Sequence, residues 1–145
     1  MRLERLCSMD LRYVGEVHVV RPYGNEAGLA FGTGLGTVEG ERLSGAVTWS
    51  NHPTRRGDGT MLPNARAAIR TDDDAVVMLD LTGRTVFVEA AGQTVGRQLL
   101  LALFESEDER YAWLNDAVCV AEGAIDGETF VSHFEIHVCH SDLVT

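Results

Sequence analysis

No stretch of this chain repeats apolar residues at the three- and four-residue spacing of a helix for long enough to bury a helical face. Alternation over short runs is what recurs, and it confines the chain to sheet architectures. Residues 11–20, LRYVGEVHVV, alternate and are rich in β-branched side chains. Residues 28–39, GLAFGTGLGTVE, are rich in glycine but have neither the length nor the period of a helix. A turn at EGE leads into a strand over 42–50, and Pro63 marks 61–71 as extended. TDDD makes a turn. AVVMLDL and TVFVEAA then predict two short strands joined at TGR, the spacing of a hairpin. RQLLLALFES fits helix or strand, and its neighbours favour strand. EDERYAWLND predicts a short helical turn, and AVCVAEG and ETFVSHFEIHVCH a final hairpin around IDG. About eight to ten strands with short turns predict an all-β antiparallel barrel or sandwich, in one domain over residues 1–145. A barrel is favoured, because closure removes sheet edges and glycines ease sharp coiling.

Charge narrows the partners. The chain carries 12 basic and 22 acidic residues, a net charge of -10, and every basic residue is arginine. There is no basic stripe for a nucleic-acid backbone. There is no lysine for Schiff-base chemistry or a phosphate loop. No apolar run approaches the roughly 20 residues needed to span a bilayer. The opening MRLERLCSMD does not resemble a signal peptide, so a cytoplasmic protein without a membrane partner is expected. Cys7, Cys119 and Cys139 form no C-x-x-C pair and predict free thiols, with Cys119 buried.

Two motifs invite a cofactor or a metal. In GTGLGTVEG, Gly32 and Gly34 fit the first two places of a dinucleotide fingerprint, but Thr37 takes the third and no helix follows. No cofactor is expected there. Glycines spaced by two instead leave one strand face bare, which suits close approach by a backbone or a ligand. In SHFEIHVCH, His133, Glu135 and His137 share one side of a strand. Four residues of strand hold the two histidine Cα atoms about 13 Å apart, too far to share one ion. His18 is the only evident third ligand, so no metal is expected. Phe130, Phe134, Ile136 and Val138 on the other side predict a core face. The catalytic-serine elbow is absent, and Asp72, Asp73 and Asp74 read as a solvated run.

The stretch SNHPTRRGDGTMLPNAR sets Arg55 and Arg56 together in a Gly- and Pro-rich loop of an acidic chain. Three blocks give this loop a context: GTVEGERLSG, RRGDGTMLPNARAAIRTDD followed by AVVML, and DERYAWLNDAVCVAEG. Together they resemble, in order, the landmarks of domain of unknown function 3237, a family of small bacterial and fungal proteins. The resemblance covers residues 10–140 and implies a calycin-like, lipocalin-like antiparallel barrel with a central cavity. This chain departs from the pattern at Gly59, where tryptophan is common in the family, and in the histidines of its last strand.

A barrel of this size holds one small, largely apolar ligand, and Trp49, Phe31, Tyr111 and Trp113 are available to line it. Along 61–71, Leu62, Asn64, Arg66, Ala68 and Arg70 share one side and Met61, Pro63, Ala65, Ala67 and Ile69 the other; alternation leaves open which is inward. With the first set inward, Arg66 and Asn64 contact the ligand, and Asp58 or a substrate carboxylate pairs with Arg66. The loop Asn51–Thr60 is expected to overhang the mouth. There Arg55 and Arg56 would steer an anionic ligand, and His52 and Asp58 would serve as acid and base. If Arg66 lies outside, the site moves toward Tyr111, Trp113 and Asn115. Two functions follow: a cofactor-independent lyase or isomerase acting on a hydrophobic aromatic or cyclic acid by decarboxylation, dehydration or proton shift, or a non-catalytic binding module. A homodimer is expected, from the strong apolar face of the last strand.

Overall fold

The computed structural model describes residues 1–144. Its strands are β1 (Arg2–Tyr13), β2 (His18–Val20), β3 (Gly28–Glu39), β4 (Gly45–Asn51), β5 (Thr54–Arg55), β6 (Met61–Leu62), β7 (Asn64–Thr71), β8 (Val76–Ala90), β9 (Gln93–Glu105), β10 (Val118–Asp126) and β11 (Ser132–His140). Eight of them close an antiparallel barrel in the order β1–β3–β4–β7–β8–β9–β10–β11, with β11 pairing back onto β1. The short β2, β5 and β6 extend one end, the mouth. A single 3-10 turn, Ala112–Asp116, closes the other end, the floor. The predicted all-β barrel with one helical turn is the observed architecture.

Alternation does the sorting. Met9, Val47, Ile69, Leu79, Phe104 and Ile136 point inward and are almost wholly buried. The glycines of β3 face inward as well. A Cβ on Gly32 would run into the Tyr13 ring, and one on Gly34 into the Trp49 ring and the Arg12 carbonyl. The two rings meet edge to face at 4.6 Å, so the bare strand face is occupied by aromatic packing from within the chain. Buried Cys119 is held up at about 11 by desolvation, as expected for an inert thiol.

Three sequence expectations need correction. There is no hairpin at Thr82–Gly83–Arg84. β8 runs unbroken through these residues, which pair with Leu101, Leu100 and Leu99. The reversal comes at Ala91–Gly92, both at positive φ (51° and 78°), a two-residue turn whose twist suits a hairpin. The first ten residues, read as no element, form most of β1, whose alternation is broken by a bulge between Arg5 and Cys7. On the last strand, Phe134, Ile136 and Val138 are core, but Phe130 lies in the preceding turn at φ 57° and is partly exposed. The apolar face of β11 is therefore turned into the barrel and offers nothing to a second chain.

The outward side of β11 carries charge. His133 Nδ1 lies 2.7 Å from Asp10 and Nε2 3.2 Å from Glu135, whose other oxygen accepts from Arg5 at 3.0 Å. The bond to Asp10 raises the His133 pKa above its ordinary value; partial burial opposes this and Glu135 adds to it. A pKa raised on folding contributes stability that is complete below the unfolded value, about 6.5, and is lost as pH climbs through the folded one. The deficit of a His133→Ala variant against the parent should thus shrink as pH rises from about 6 to about 9. The side chains are half exposed, so the deficit should be within about 1 kcal/mol. Thermal melts of both proteins across that range check it, and a deficit constant with pH would assign it to packing.

Candidate functional site

On four strands the inward series turns polar at the mouth. On β1 it runs Cys7, Met9, Leu11 and then Tyr13; on β4, Val47, Trp49 and then Asn51; on β8, Leu79 and Leu81, then Thr85 beyond Gly83; on β9, Phe104, Ala102, Leu100 and then Gln98. These polar groups line a cavity of about 190 Å³ whose remaining wall is largely apolar, including Val17, Met61, Phe87, Ile125 and Phe130. A smaller space of about 40 Å³ continues it inward past Trp49 and Leu100, with Tyr13, Asn51 and Gln98 bordering both.

The polar groups are ordered by one another, with two atoms left over. Asn51 accepts the Asn64 N–H at 3.0 Å through Oδ1 and donates to the Tyr13 hydroxyl at 3.3 Å through Nδ2. Burial raises the Tyr13 pKa, a shift the Asn51 bond opposes, so the phenol is protonated at neutral pH. Gln98 donates to Thr85 Oγ1 at 3.0 Å, which leaves its buried Oε1 without a partner. Arg55 pairs with Glu26 at 2.9 Å, and its Nε is buried and unbonded among the described residues. A buried donor and a buried acceptor left unmade cost roughly 1–3 kcal/mol each, which a bound molecule can recover.

The two adjacent arginines part company. Arg55 enters the cavity wall. Arg56 stays outside and grips Asp58 with Nε at 3.2 Å and Nη2 at 2.7 Å. That grip, with the Thr60 amide, lowers the Asp58 carboxyl to about 2. Such a group is a weak base and a poor acid near neutrality. His52 lies on the outer face, its ring 5.2 Å from Phe31 and its Nε2 3.2 Å from Ser50 Oγ. Neither His52 nor Asp58 borders the cavity.

The remaining candidates fall into three places. Trp49 borders the inner space, its indole N–H donating to Leu35 O at 3.0 Å. Asn64 and Arg66 point away from it: Arg66 is 71% exposed and bonds Asp80 at 2.9 Å, because Ala65, Ala67 and Ile69 are the inward set of β7. Tyr111, Trp113 and Asn115 are at the floor. Tyr111 donates to Asp73 at 2.7 Å, Arg42 stacks 3.7 Å over Trp113, and Asn115 brackets Ser106 with bonds at 2.8 and 2.9 Å. Tyr13, Asn51, Glu26, Thr85 and Gln98 are cavity residues that sequence reasoning missed. For the four on strands, the signal was a polar residue following an apolar inward series; Glu26 lies in the loop between β2 and β3.

Solved structures with the same fold cover nearly the whole chain. A β-barrel-like protein from Acinetobacter baumannii aligns with a TM-score of 0.84 at 18% identity, covering 94% of both chains. A protein of unknown function from Clostridium acetobutylicum aligns at 0.83 and 19%, covering 97% of this chain and 100% of that one. An enzyme from Penicillium herquei aligns at 0.70 and 23%, covering 93% of each. At these identities the likeness is one of fold. No curated protein matches the sequence. Residues 2–140, nearly all of the barrel, match the family described as protein of unknown function (DUF3237), and the chain belongs to that family.

Proposed function

We propose that the mouth cavity binds one small, mostly apolar molecule that presents a hydrogen-bond donor to Gln98 and a carboxylate or other acceptor to Arg55. The pair of buried unbonded atoms, Gln98 Oε1 and Arg55 Nε, carries this reading. Size supports it: a cavity of about 150 Å³ takes a benzene ring, so about 190 Å³ takes one substituted ring. Depth orders the two contacts. Gln98 borders both the outer and the inner space and Arg55 only the outer, so the donor end goes in first and the acceptor stays at the mouth.

A second reading has the protein act on what it binds, by proton shift, dehydration or decarboxylation without a cofactor. The Penicillium herquei enzyme of the same fold favours it. Tyr13, protonated and held by Asn51, would supply the proton, and Glu26 beside Arg55 is the carboxylate positioned to take one up. His52 and Asp58 have no part in it.

Titration calorimetry with 4-hydroxybenzoate and 4-methoxybenzoate tests the binding reading, because the ether keeps the ring and carboxylate but removes the donor. The parent should prefer the phenol about tenfold or more. Gln98→Leu should abolish the preference, and Arg55→Ala should weaken both ligands. Arg55→Lys should not restore them, since an ammonium on a longer stem does not reproduce the Nε–H. No binding of either compound, or an undiminished preference in Gln98→Leu, would reject this reading.

A further inference from the structure

The outer face of β8 and β9 carries an apolar centre with opposite charges at its two ends. The outward residues of β9 are Arg97, Leu99, Leu101, Leu103 and Glu105, with Leu99 63% exposed. Opposite them on β8 stand Val86, Arg84, Thr82, Asp80 and Met78 in register. Arg97, Glu105 and Arg84 have no ion-pair partner among the described residues. Three leucines exposed in a row, bracketed by charges at both ends, form the kind of contiguous apolar patch that marks an interaction surface.

We propose that this face binds a second copy of the same chain about a two-fold axis through the Thr82–Leu101 rung. Such an axis, lying in the interface and perpendicular to the strands, runs each strand antiparallel to its own copy. Arg97 then faces Glu105 of the partner subunit, and Arg84 faces Asp80 of the partner subunit, which already holds Arg66 at 2.9 Å. Val86 faces Met78 of the partner subunit, Leu99 faces Leu103 of the partner subunit, and Leu101 meets Leu101 of the partner subunit. Each of the four charges on the stripe, Arg84, Arg97, Asp80 and Glu105, meets its opposite, twice over by symmetry. Shape agrees with charge. A groove of about 210 Å³ is bordered by Met78, Asp80, Leu103 and Glu105, the positions that the axis places under Val86, Arg84, Leu99 and Arg97. The most exposed leucine of the stripe thus projects into the hollow of its copy. Packed sheets cross at about 30°, a splay that the long arginine and glutamate side chains span at the ends of the stripe.

Sedimentation velocity over a concentration series tests this with charge reversals. The parent should sediment as a dimer. Arg97→Glu and Glu105→Arg each place like charges face to face at two symmetric points and should weaken the dimer by at least about tenfold. Mixing these two variants should restore a dimer, because one subunit then carries acid at both ends of its stripe and the other carries base at both ends. The Arg97→Glu/Glu105→Arg double variant should dimerise by itself. Rescue on mixing also shows that both singles are folded. A monomeric parent at about 100 µM, single variants that dimerise like the parent, or a mixture that stays monomeric would each overturn the assignment.

Discussion

Replacing Gly34 by alanine is expected to lower barrel stability by roughly 3 kcal/mol, the upper part of the range for overpacking a close-packed interior. Gly34 is an inward position of β3. An added methyl would meet the Arg12 carbonyl, which is backbone in the adjoining strand, and the Trp49 ring, which is wedged against Tyr13. A flexible side chain could swing aside, but here a ladder strand and an aromatic pair would both have to move. Gly57 is the control: nothing lies within 4 Å of where its Cβ would be, and alanine there should change stability by less than about 0.5 kcal/mol. Urea unfolding should show a lower midpoint for Gly34→Ala at an unchanged slope. Equal midpoints for the two variants would mean that the aromatic pair does not rest on β3.

Leu114→Ala is expected to cost about 2–5 kcal/mol, the range for emptying a wholly buried leucine site. Leu114 is the one fully buried side chain of the 3-10 turn. Around it Asp73 accepts from Tyr111 and Thr71 at 2.7 and 2.6 Å and pairs with Arg110 at 3.2 Å, so the floor is a plug of packed and bonded groups. The loss should be one of stability alone. Under conditions where the variant remains folded, 4-hydroxybenzoate should bind it as it binds the parent, because Leu114 and the cavity are at opposite ends of the barrel. A variant with parental stability, or one that is folded and has lost the ligand, would count against a sealed floor separate from the site.

Alternation made the barrel legible, and its failures have local causes. In LTGRT a glycine between polar residues has the composition of a turn, yet Gly83 is a rung of a fifteen-residue strand. What keeps it extended is the β9 backbone, with Leu99 O and the Leu100 Cα lying where a side chain would be. That contact is set by register across the sheet and is not written in the local residues. Most of β1 escaped notice because its charged start and its bulge break the two-residue period. On β7 alternation gave the two faces but could not say which was in. Packing decided for the small set Ala65, Ala67 and Ile69, which leaves the guanidinium of Arg66 in water on Asp80.

The site was half legible for the same reason. The loop with two arginines borders the cavity, but β5 ends at Arg55 and Arg56 turns outward onto Asp58, so only Arg55 enters the wall. His52 and Asp58 drew attention as titratable loop residues. Burial, which composition does not reveal, instead favours Tyr13, Asn51 and Gln98. Gln98 sits in RQLLLALF, where its neighbours suggest only core; its meaning appears once the inward series Gln98, Leu100, Ala102 and Phe104 is followed to the open end.

A ligand of the barrel is expected to enter at the mouth, between Arg55 and Gln98. Backbone amide chemical shifts of isotopically labelled protein, recorded as 4-hydroxybenzoate is added, test it most directly. The largest changes should cluster at Tyr13, Asn51, Arg55, Thr85 and Gln98, with the amides of Tyr111, Trp113 and Asn115 at the floor unmoved. Changes centred on the floor residues, or spread over the outer faces of the strands with the mouth silent, would contradict it.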